Sequence, residues 1–336
     1  MAVASPPRVH QGTTSVSAIV SNFNGARFLP RLLESLRRQR GVSVDIIVVD
    51  RQSTDDSAAI LRQHADVRVV PETPATGLAA GYHAGSLHAQ TDLLFFCNED
   101  MWFDDDCLRL LADAIDLSKG VASSDPWQWS YDGARWHHGG SRFETTAWAI
   151  NSPHPHRAVR FTFDQPMGAL VPFPCAGAMM IHRDVYREVG GWDRSFFLDH
   201  EDVDLAIRTW QRGWTAVMVP EARVYHAVNA SDGQTITAAA IPVSRRRYVA
   251  QRANLSVIAL KYFSWGALPL AALVWPAAVL NNIRRGQWRH VWGDVQVAME
   301  LVRRFPDAWR FRRANARWNT LRPGERFFTA PEHQAP

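Results

Sequence analysis

Continuous apolar runs that alternate with amphipathic segments through residues 16–116 constrain the fold more than any other feature of the sequence. Runs such as IIVV and LLFFC are apolar at every position, whereas the segment after the first run places its leucines at helical spacing. A strand that is apolar at successive positions is buried on both faces, so this pattern is typical of a parallel sheet with helices on either side. We therefore predict an α/β fold with strands at 16–21, 45–49, 67–70, 93–97, 176–182, 216–219 and 223–225, helices at 27–38, 55–63, 78–89 and 104–116, and loops with short strands at 120–175.

Polar side chains follow three of the predicted strands at the point where each strand ends. In sheets of this class, ligands bind at the carboxyl ends of the strands, and a glycine that opens a helix lets a ligand approach the backbone closely. Taken singly, these residues have ordinary alternatives as solvated turns or packing glycines. Taken together, they predict a ligand site made from Ser21, Asn22, Asn24, Asp50, Gly77, Asn98, Glu99 and Asp100.

The sequence Asn98-Glu99-Asp100 offers oxygen ligands of the kind that Mg²⁺ or Mn²⁺ prefers. Such an ion would offset the charge of a pyrophosphate and would stabilise a nucleoside diphosphate as a leaving group. His226 follows a short predicted strand and is a candidate to complete the metal shell or to bind phosphate. A purely structural histidine is the alternative.

Four carboxylates crowd into residues 199–204 of the stretch FFLDHEDVDLAIRTW. The apolar spacing that follows predicts a helix from about residue 201, whose positive end favours acids and where an Asp can act as the cap. Capping, and a pair between Asp204 and Arg208 one turn later, account for Asp199 and Asp204 as mostly structural acids. Glu201 and Asp202 remain, and one of them can take the proton from a sugar hydroxyl while the other orients the acceptor. Crowded acids raise one another's pKa, which brings such a base nearer to its operating pH.

Charge is divided unevenly along the chain. Residues 1–244 carry a net charge of −7 and residues 245–336 carry +11, which together give the formal +4. A basic tail on an acidic body indicates an anionic partner for the tail. Within the tail, 22 uncharged residues lie between Lys261 and Arg284, enough for a membrane span. Pro269 and Pro276 would bend such a helix, so a segment that lies in or re-enters the interface is an equal alternative to a span. A buried helical hairpin is the alternative, and the uncharged stretch fits lipid better than nucleic acid.

The same features divide the chain into three predicted parts. These are a disordered N-terminus at 1–14, a catalytic α/β domain at 15–244 and a basic helical region at 245–336. Three cysteines without CxxC spacing indicate neither a disulfide framework nor a zinc site. The first fifteen residues lack the apolar core of a signal peptide, so we expect the catalytic part in the cytosol.

Five motifs occur in one order along the chain: SAIVSNFNG, IIVVDRQSTDDS, TGLAAGYHAG, FFCNED and AGAMMIHRDVYREVGGWDRSFFLDHEDVDLAIRTWQRGW, with VYHAVNAS after them. Through these motifs, residues 15–230 resemble the family 2 glycosyltransferases, especially the bacterial rhamnosyltransferase-like members. The resemblance implies the GT-A fold, with a Rossmann-like, mostly parallel sheet flanked by helices. Beside it we expect a C-terminal helical region that associates with a membrane.

The resemblance also implies roles for individual residues. Asp202, with Glu201 close behind, is the expected base of an inverting transfer, and Asp100 and His226 are expected to bind Mg²⁺ or Mn²⁺. The nucleotide-sugar is expected to contact Ser21, Asn22, Asn24, Asp50, Arg51, Gly77, Asn98 and Glu99, and the acceptor to contact Trp192, Asp199 and His200. The residues that depart from the usual family pattern are Arg51, His83 and Glu99.

We therefore predict an enzyme that moves a sugar from a nucleotide-sugar donor to a hydroxyl of a lipid-linked saccharide in cell-surface polysaccharide biosynthesis. The expected partners are the donor, the acceptor and an anionic membrane surface, without nucleic acid. The expected location is the cytoplasmic side of the inner membrane, either peripheral or with one C-terminal membrane segment. The alternatives are a polyprenyl-phosphate sugar synthase and a non-catalytic nucleotide-sugar-binding protein on the same fold.

Overall fold

A computed structural model of the chain describes residues 14–71, 77–138, 141–143, 159–161, 170–171, 174–227, 245–266, 276–277 and 279–316. Its strands are β1 (Thr14–Asn22), β2 (Val42–Asp50), β3 (Val67–Pro71), β4 (Leu93–Asn98), β5 (Met101–Phe103), β6 (Val121–Ser130), β7 (Trp136–His138), β8 (Ser141–Phe143), β9 (Val159–Phe161), β10 (Leu170–Val171), β11 (Ala178–His182) and β12 (Thr215–His226). Its helices are α1 (Leu29–Arg37), α2 (Ser57–Leu61), α3 (Leu78–Ser86), α4 (Cys107–Asp113), α5 (Arg183–Glu188), α6 (Glu201–Trp210), α7 (Arg245–Tyr262) and α8 (Trp288–Ala314).

The central sheet is mixed, in the order β10-β12-β6-β11-β4-β1-β2-β3. The strands β4, β1, β2 and β3 run parallel, and so do β6 and β12. Strand β11 runs antiparallel to both β4 and β6 and joins the two groups. The expectation of a mostly parallel sheet is corrected here, because a strand buried on both faces has the same residue pattern in either direction.

The stretch predicted as loops and short strands contains the ten-residue strand β6. The prediction failed there because Ser123, Ser124, Asp125 and Gln128 are polar yet buried within the sheet. Conversely, the two short strands predicted at 216–219 and 223–225 form the single strand β12. A register shift against β6 between Val219 and Arg223 separates its halves.

Side chains of the central strands enter two cores, one on each face of the sheet. On one face, Val16, Ala18 and Val20 of β1 pack with the leucines of α1. On the other face, Ile19 of β1 packs in a cluster with Ile207 of α6. The predicted burial of both faces is therefore confirmed.

The second core also includes the C-terminal helices. Leu255, Ile258 and Tyr262 of α7 and Ala308 of α8 belong to the cluster that contains Ile207. Apolar area removed from water is the main favourable term in folding, so these helices contribute to the stability of the sheet domain itself.

The membrane-associating segment predicted at 262–283 lies partly outside the described residues, which omit 267–275 and 278. Its first two residues, Tyr262 and Phe263, are fully buried in the core, and Lys261 before them is 2% exposed. Among the residues described, no helix has both the length and the apolar content needed to cross a membrane. The predicted boundary at 244 and residues 1–13 of the predicted disordered N-terminus also lie outside the description.

Candidate active site

The carboxyl ends of β1 and β2 bring two predicted donor residues into direct contact. The strand register places Asn22 beside Asp50, and Asn22 Nδ2 donates a hydrogen bond to Asp50 Oδ1 at 2.9 Å. The Ser53 hydroxyl donates to the same oxygen at 2.6 Å. The Asp50 carboxylate is thereby fixed at the edge of the sheet, where it is partly exposed and can accept hydrogen bonds from a ligand.

Hydrogen bonds join the loops that follow these two strands. Asn24 has a φ of 53°, its Oδ1 accepts from the Thr54 backbone at 2.8 Å, and its own N–H donates to Ser53 at 2.9 Å. Buried polar atoms usually have hydrogen-bond partners, and the exceptions often mark sites for ligands or water. At these strand ends, three atoms are buried without a partner in the described part of the chain, namely Ser21 Oγ, Asn22 Oδ1 and Arg51 Nε.

The end of β4 supplies the next two predicted residues. Asn98 lies beside Ser21 in the sheet register, and its Oδ1 accepts from the Tyr82 hydroxyl at 2.8 Å. Glu99 is 8% exposed. Burial, with the neighbouring Asp100 carboxylate second, raises the pKa of Glu99 to about 8, against the opposing charge of Arg51. Without a cation on Asp100, the neutral form of Glu99 is therefore favoured.

The two predicted metal ligands come from distant parts of the chain and meet. The Nε2 atom of His226, at the end of β12, is 3.1 Å from Asp100 Oδ1. Adjacent ligands of an octahedral ion at about 2.1 Å stand about 3 Å apart, so the pair has a suitable spacing. The other ring nitrogen, Nδ1, is 3.3 Å from Gln128 Oε1, a contact of the kind that orients a metal-binding histidine.

In the described part of the chain, no group of three or more His, Cys, Asp or Glu side chains is arranged to hold a metal ion. Asp100 and His226 therefore form a two-residue platform, which fits an ion that completes its shell with phosphate oxygens and water.

Helix α6 begins at a sharp bend in the chain. Asp199 and His200 both adopt left-handed φ values, 65° and 66°, and His200 occupies the cap position where we predicted an Asp. The next two residues are the candidate base pair. Asp202 Oδ2 accepts from the Ala176 backbone at 3.2 Å, and its Oδ1 accepts from the Val203 backbone at 2.8 Å.

Burial sets the protonation of the two acids at this helix start. Burial raises the pKa of Asp202 to about 6, although its two backbone hydrogen bonds act in the opposite direction. Burial, followed by the charges of Asp202 and Asp199, raises the pKa of Glu201 well above 4.5. Burial therefore favours the neutral form of Glu201, and Asp202, which accepts two backbone hydrogen bonds, is the better stabilised anion of the pair.

The other two acids of this stretch are engaged by arginine and lysine. Asp204 is fully buried and accepts from Arg208 at 2.7 Å and from Lys261 at 2.5 Å, which confirms the predicted pair with Arg208. Asp199 accepts two hydrogen bonds from Arg247 at 2.9 Å each. Lys261 and Arg247 both belong to α7, so the C-terminal region holds the loop and helix that carry the candidate base.

Two predicted site residues serve packing instead. A Cβ at Gly77, where φ is 103°, would lie 2.3 Å from the Phe197 carbonyl oxygen, so this glycine admits protein backbone where we expected a ligand. Trp192 is 2% exposed and its ring lies 5.3 Å from Phe96 in the core, so it is not available to an acceptor. His200 is 7% exposed and is likewise mostly buried.

Sequence reasoning missed the residues that link the donor and base sides of the site. The Tyr82 hydroxyl is within hydrogen-bond distance of two acceptors, Asn98 Oδ1 at 2.8 Å and the Ala176 carbonyl at 2.9 Å, which share its one proton. The Ala176 N–H donates to Asp202. Nearby, Asp125 of β6 is fully buried and accepts from the Cys175 backbone at 3.1 Å. The polar run SSDPWQWS was the sequence feature that could have predicted Asp125, because buried polar side chains need hydrogen-bond partners.

Comparison with known proteins identifies the family of the chain. The Glycosyl transferase family 2 model matches residues 17–190. An N-acetylglucosaminyl-diphospho-decaprenol L-rhamnosyltransferase of Mycobacterium tuberculosis is 25% identical over 248 residues, which cover 66% of this chain and 79% of that protein. An uncharacterized glycosyltransferase of Nostoc sp. is 32% identical over 92 residues, which cover 26% of this chain and 29% of that protein.

Among solved structures, the crystal structure of GalNAc-T7 with UDP, GalNAc and Mn²⁺ is similar, with a TM-score of 0.57 and 16% identity. The likeness covers 76% of this chain, which spans about half of that one, at 49%. It supports the predicted GT-A-like α/β fold, in which a mixed sheet is flanked by helices.

The family match covers just over half of the chain and contains most of the predicted donor residues. It also confirms the prediction of glycosyltransferase activity. We conclude that this chain belongs to glycosyl transferase family 2.

Proposed function

We propose that this glycosyltransferase moves a sugar from a nucleotide-sugar donor to a saccharide hydroxyl, with inversion at the anomeric carbon and with Asp202 as the general base. The observation that carries the proposal is the environment of Asp202. Its carboxylate accepts from two backbone N–H groups and has a pKa of about 6, beside a Glu201 whose neutral form burial favours. A base of that pKa is ionised at neutral pH and still accepts a proton readily.

The transfer is one displacement. The acceptor hydroxyl oxygen attacks the anomeric carbon of the donor sugar, and its proton passes to the Asp202 carboxylate. As the new glycosidic bond forms, the bond between the anomeric carbon and the diphosphate oxygen breaks, and the nucleoside diphosphate leaves. Glu201, as a neutral carboxylic acid, can hold the acceptor by donating and accepting hydrogen bonds.

The donor nucleotide fits the cluster at the ends of β1, β2 and β4. Asp50 offers a fixed carboxylate to a ribose or base, Arg51 offers hydrogen-bond donors, and Glu99 offers a further polar group. Asp100 and His226 are the residues that would hold Mg²⁺ or Mn²⁺. When bound, such an ion neutralises charge on the departing diphosphate.

The choice of substrates follows from the similarity to the mycobacterial rhamnosyltransferase. We propose a rhamnosyl donor and an N-acetylglucosaminyl-diphospho-polyprenol acceptor, in a step of cell-surface polysaccharide synthesis. Because that acceptor is anchored in lipid, the proposed location is the cytoplasmic face of the inner membrane.

The decisive experiment measures nucleoside diphosphate release by the purified protein with Mn²⁺, a panel of nucleotide-sugars that includes dTDP-rhamnose, and N-acetylglucosaminyl-diphospho-polyprenol in detergent. We expect release with one donor, abolished by a chelator, and a kcat reduced by about 100-fold or more in Asp202→Asn. Asp184→Asn is the matched control, because Asp184 is an exposed acid in the first turn of α5.

Three outcomes would count against the proposal. An undiminished kcat in Asp202→Asn, together with an inactive Glu201→Gln, would move the base to Glu201. Undiminished release in the presence of the chelator would show that the reaction does not require a metal ion. Donor binding without any release from the whole panel and acceptor would favour a non-catalytic binding protein.

A further inference from the structure

The outer face of helix α8 carries an unusual stripe of exposed apolar side chains. Trp288 is 61% exposed, Trp292 64%, Met299 67% and Val302 76%, and Val295 lies between them at 45%. At 3.6 residues per turn, these positions fall on one side of the helix. We refer to the five residues as the α8 stripe.

The opposite side of α8 is the one that packs on the domain. Gly293, Val297, Arg304 and Ala308 are buried there, and the Cβ position of Gly293 is 2.8 Å from the ring of Tyr248 in α7. The buried side of α8 is mixed, because the charged residues Asp294, Arg304 and Arg312 are also buried in this helix. The apolar α8 stripe therefore lies on the exposed side. A surface helix of a soluble domain normally has a polar outer side.

Exposed apolar surface is concentrated in this region. Of the eleven large hydrophobic side chains that are exposed in the described residues, nine lie between Trp265 and Phe305, and Val69 and Leu87 are the other two. Aromatic rings extend the stripe at one end, where Phe305 stacks on Trp309 at 5.5 Å. A contiguous patch of this kind indicates an interaction surface.

Arginines surround the α8 stripe. The exposed ones in the helix and the turn before it are Arg284, Arg285, Arg289, Arg303, Arg310 and Arg313. In residues 279–316, two acids have exposed side chains, and both pair with arginine: Glu300 with Arg303 at 2.8 Å, and Asp307 with Arg310. A surface with tryptophan at its apolar centre and arginine at its border complements a bilayer interface with anionic headgroups.

We propose that α8 lies in the plane of an anionic membrane surface, with the α8 stripe inserted between the headgroups and the arginines against lipid phosphates. This assigns the membrane contact to residues 284–313, which follow the segment predicted at 262–283. The inference adds the membrane partner to the proposed function and rests on that function for its purpose.

The inner side of α8 places this membrane contact near the candidate base. Arg304 donates to Ser195 at 3.1 Å and to Asn254 at 2.7 Å, and Asn254 in turn donates to the backbone carbonyls of Leu198 and Asp199. These bonds fix the loop that leads into α6. One helix diameter, about 10 Å, therefore separates the docked surface from that loop. The diphosphate and first sugar of a lipid-linked acceptor can extend over such a distance.

Flotation of the full-length protein with vesicles tests the proposal. The probes are vesicles of phosphatidylcholine alone and of phosphatidylcholine with phosphatidylglycerol. We expect binding to the anionic vesicles, and a partition coefficient at least about tenfold lower for Trp292→Ser with Val302→Ser. The matched control is Val69→Ser with Leu87→Ser, which removes exposed apolar side chains elsewhere and is expected to bind as the wild type does.

A second variant separates charge from apolar insertion. Replacing Arg284, Arg285 and Arg289 with glutamine is expected to weaken binding to anionic vesicles by about fivefold for each arginine, without affecting binding to neutral ones. Circular dichroism of both variants, with an unchanged melting temperature, excludes unfolding as the cause.

Two results would overturn the proposal. One is wild-type protein that does not float with anionic vesicles, or that floats equally well after the stripe substitutions. The other is a wild-type dimer that the stripe substitutions convert to a monomer without any change in flotation, which would assign the α8 stripe to a second copy of the chain. Flotation needs neither donor nor acceptor, so its failure is distinct from failure of the proposed transfer.

Discussion

Asp202 and Glu201 are adjacent residues with opposite expected charge states. Asp202 is stabilised as an anion by two backbone N–H groups, whereas Glu201 faces the charges of Asp202 and Asp199. Two buried carboxyl groups side by side do not both ionise near neutral pH, because each charge raises the cost of the other. The pair therefore provides one base and one neutral hydrogen-bonding acid.

The pH profile of the enzyme is expected to follow Asp202. Since the base must be ionised, kcat/KM should rise as the pH increases through about 6 and should fall about tenfold for each unit below it. The measurement is kcat/KM between pH 4.5 and 8. A kcat/KM that stays nearly constant down to pH 4.5, as expected for an aspartate with the ordinary pKa of 3.8, would contradict the assignment.

Stability should change in the opposite direction over the same range. The folded pKa of Asp202 is raised, so between 3.8 and about 6 the folded protein keeps a proton that the unfolded chain releases, and unfolding becomes easier as the pH rises. Asp202→Asn should therefore have a melting temperature at pH 8 no lower than that of the wild type, which also serves to show that its lost activity is not unfolding.

At the scale of elements, the start of α6 is held by α7. Lys261 is buried and donates to Asp204 at 2.5 Å and to Asp193 at 2.8 Å, and the Tyr262 hydroxyl donates to Asp204 at 2.7 Å. Burial alone would raise the pKa of Asp204, but the charges of Lys261 and Arg208 more than offset it and hold the pKa below 3.8. The network joins two helices that are distant in sequence.

Lys261→Met is expected to lower the free energy of unfolding by about 3–5 kcal/mol, because it leaves buried carboxylates without one of their cations. The control is Lys119→Met, which removes an exposed lysine paired with Asp116 at 3.0 Å and should leave the free energy of unfolding nearly unchanged, because exposed ion pairs are weak. Urea denaturation at pH 7 measures both. Equal losses in the two variants would show that the buried ion pair contributes no more to the free energy of unfolding than the exposed one.

At the scale of the whole molecule, the basic C-terminal region and the sheet domain share one core. Leu255, Ile258 and Tyr262 lie in the cluster that contains Ile207 of α6. A chain that ends at residue 244 would expose that cluster to water and would also lose Arg247, which holds Asp199.

We expect a chain of residues 1–244 to be insoluble, or to bind a hydrophobic dye and melt without a cooperative transition. A chain of residues 1–316, which keeps α7 and α8, should melt as the full chain does. Calorimetry and dye fluorescence make the comparison. A cooperative transition in the shorter chain would show that the C-terminal helices are dispensable for folding.

The sequence by itself determined the strands of the first half, the polar residues at their ends and the family. Each of these is a local pattern. A run such as IIVV avoids water only when both faces of its strand are buried, and Asp50 after it then lies at the edge of the sheet. The predicted pair of Asp204 and Arg208 was likewise fixed by the repeat of one helix.

The tertiary structure alone decided which residues meet across long separations. Neither the direction of β11 nor the burial of β6 is encoded in their own residues, because both depend on the neighbouring strands. The sequence predicted Trp192 as an acceptor-binding residue, whereas packing places it in the core. The sequence places Lys261 at the border of a possible membrane segment, whereas in the structure it is buried and pairs with Asp204. A side chain's environment is set by partners that the chain brings together only on folding, so the roles of these residues could not be derived from the local sequence.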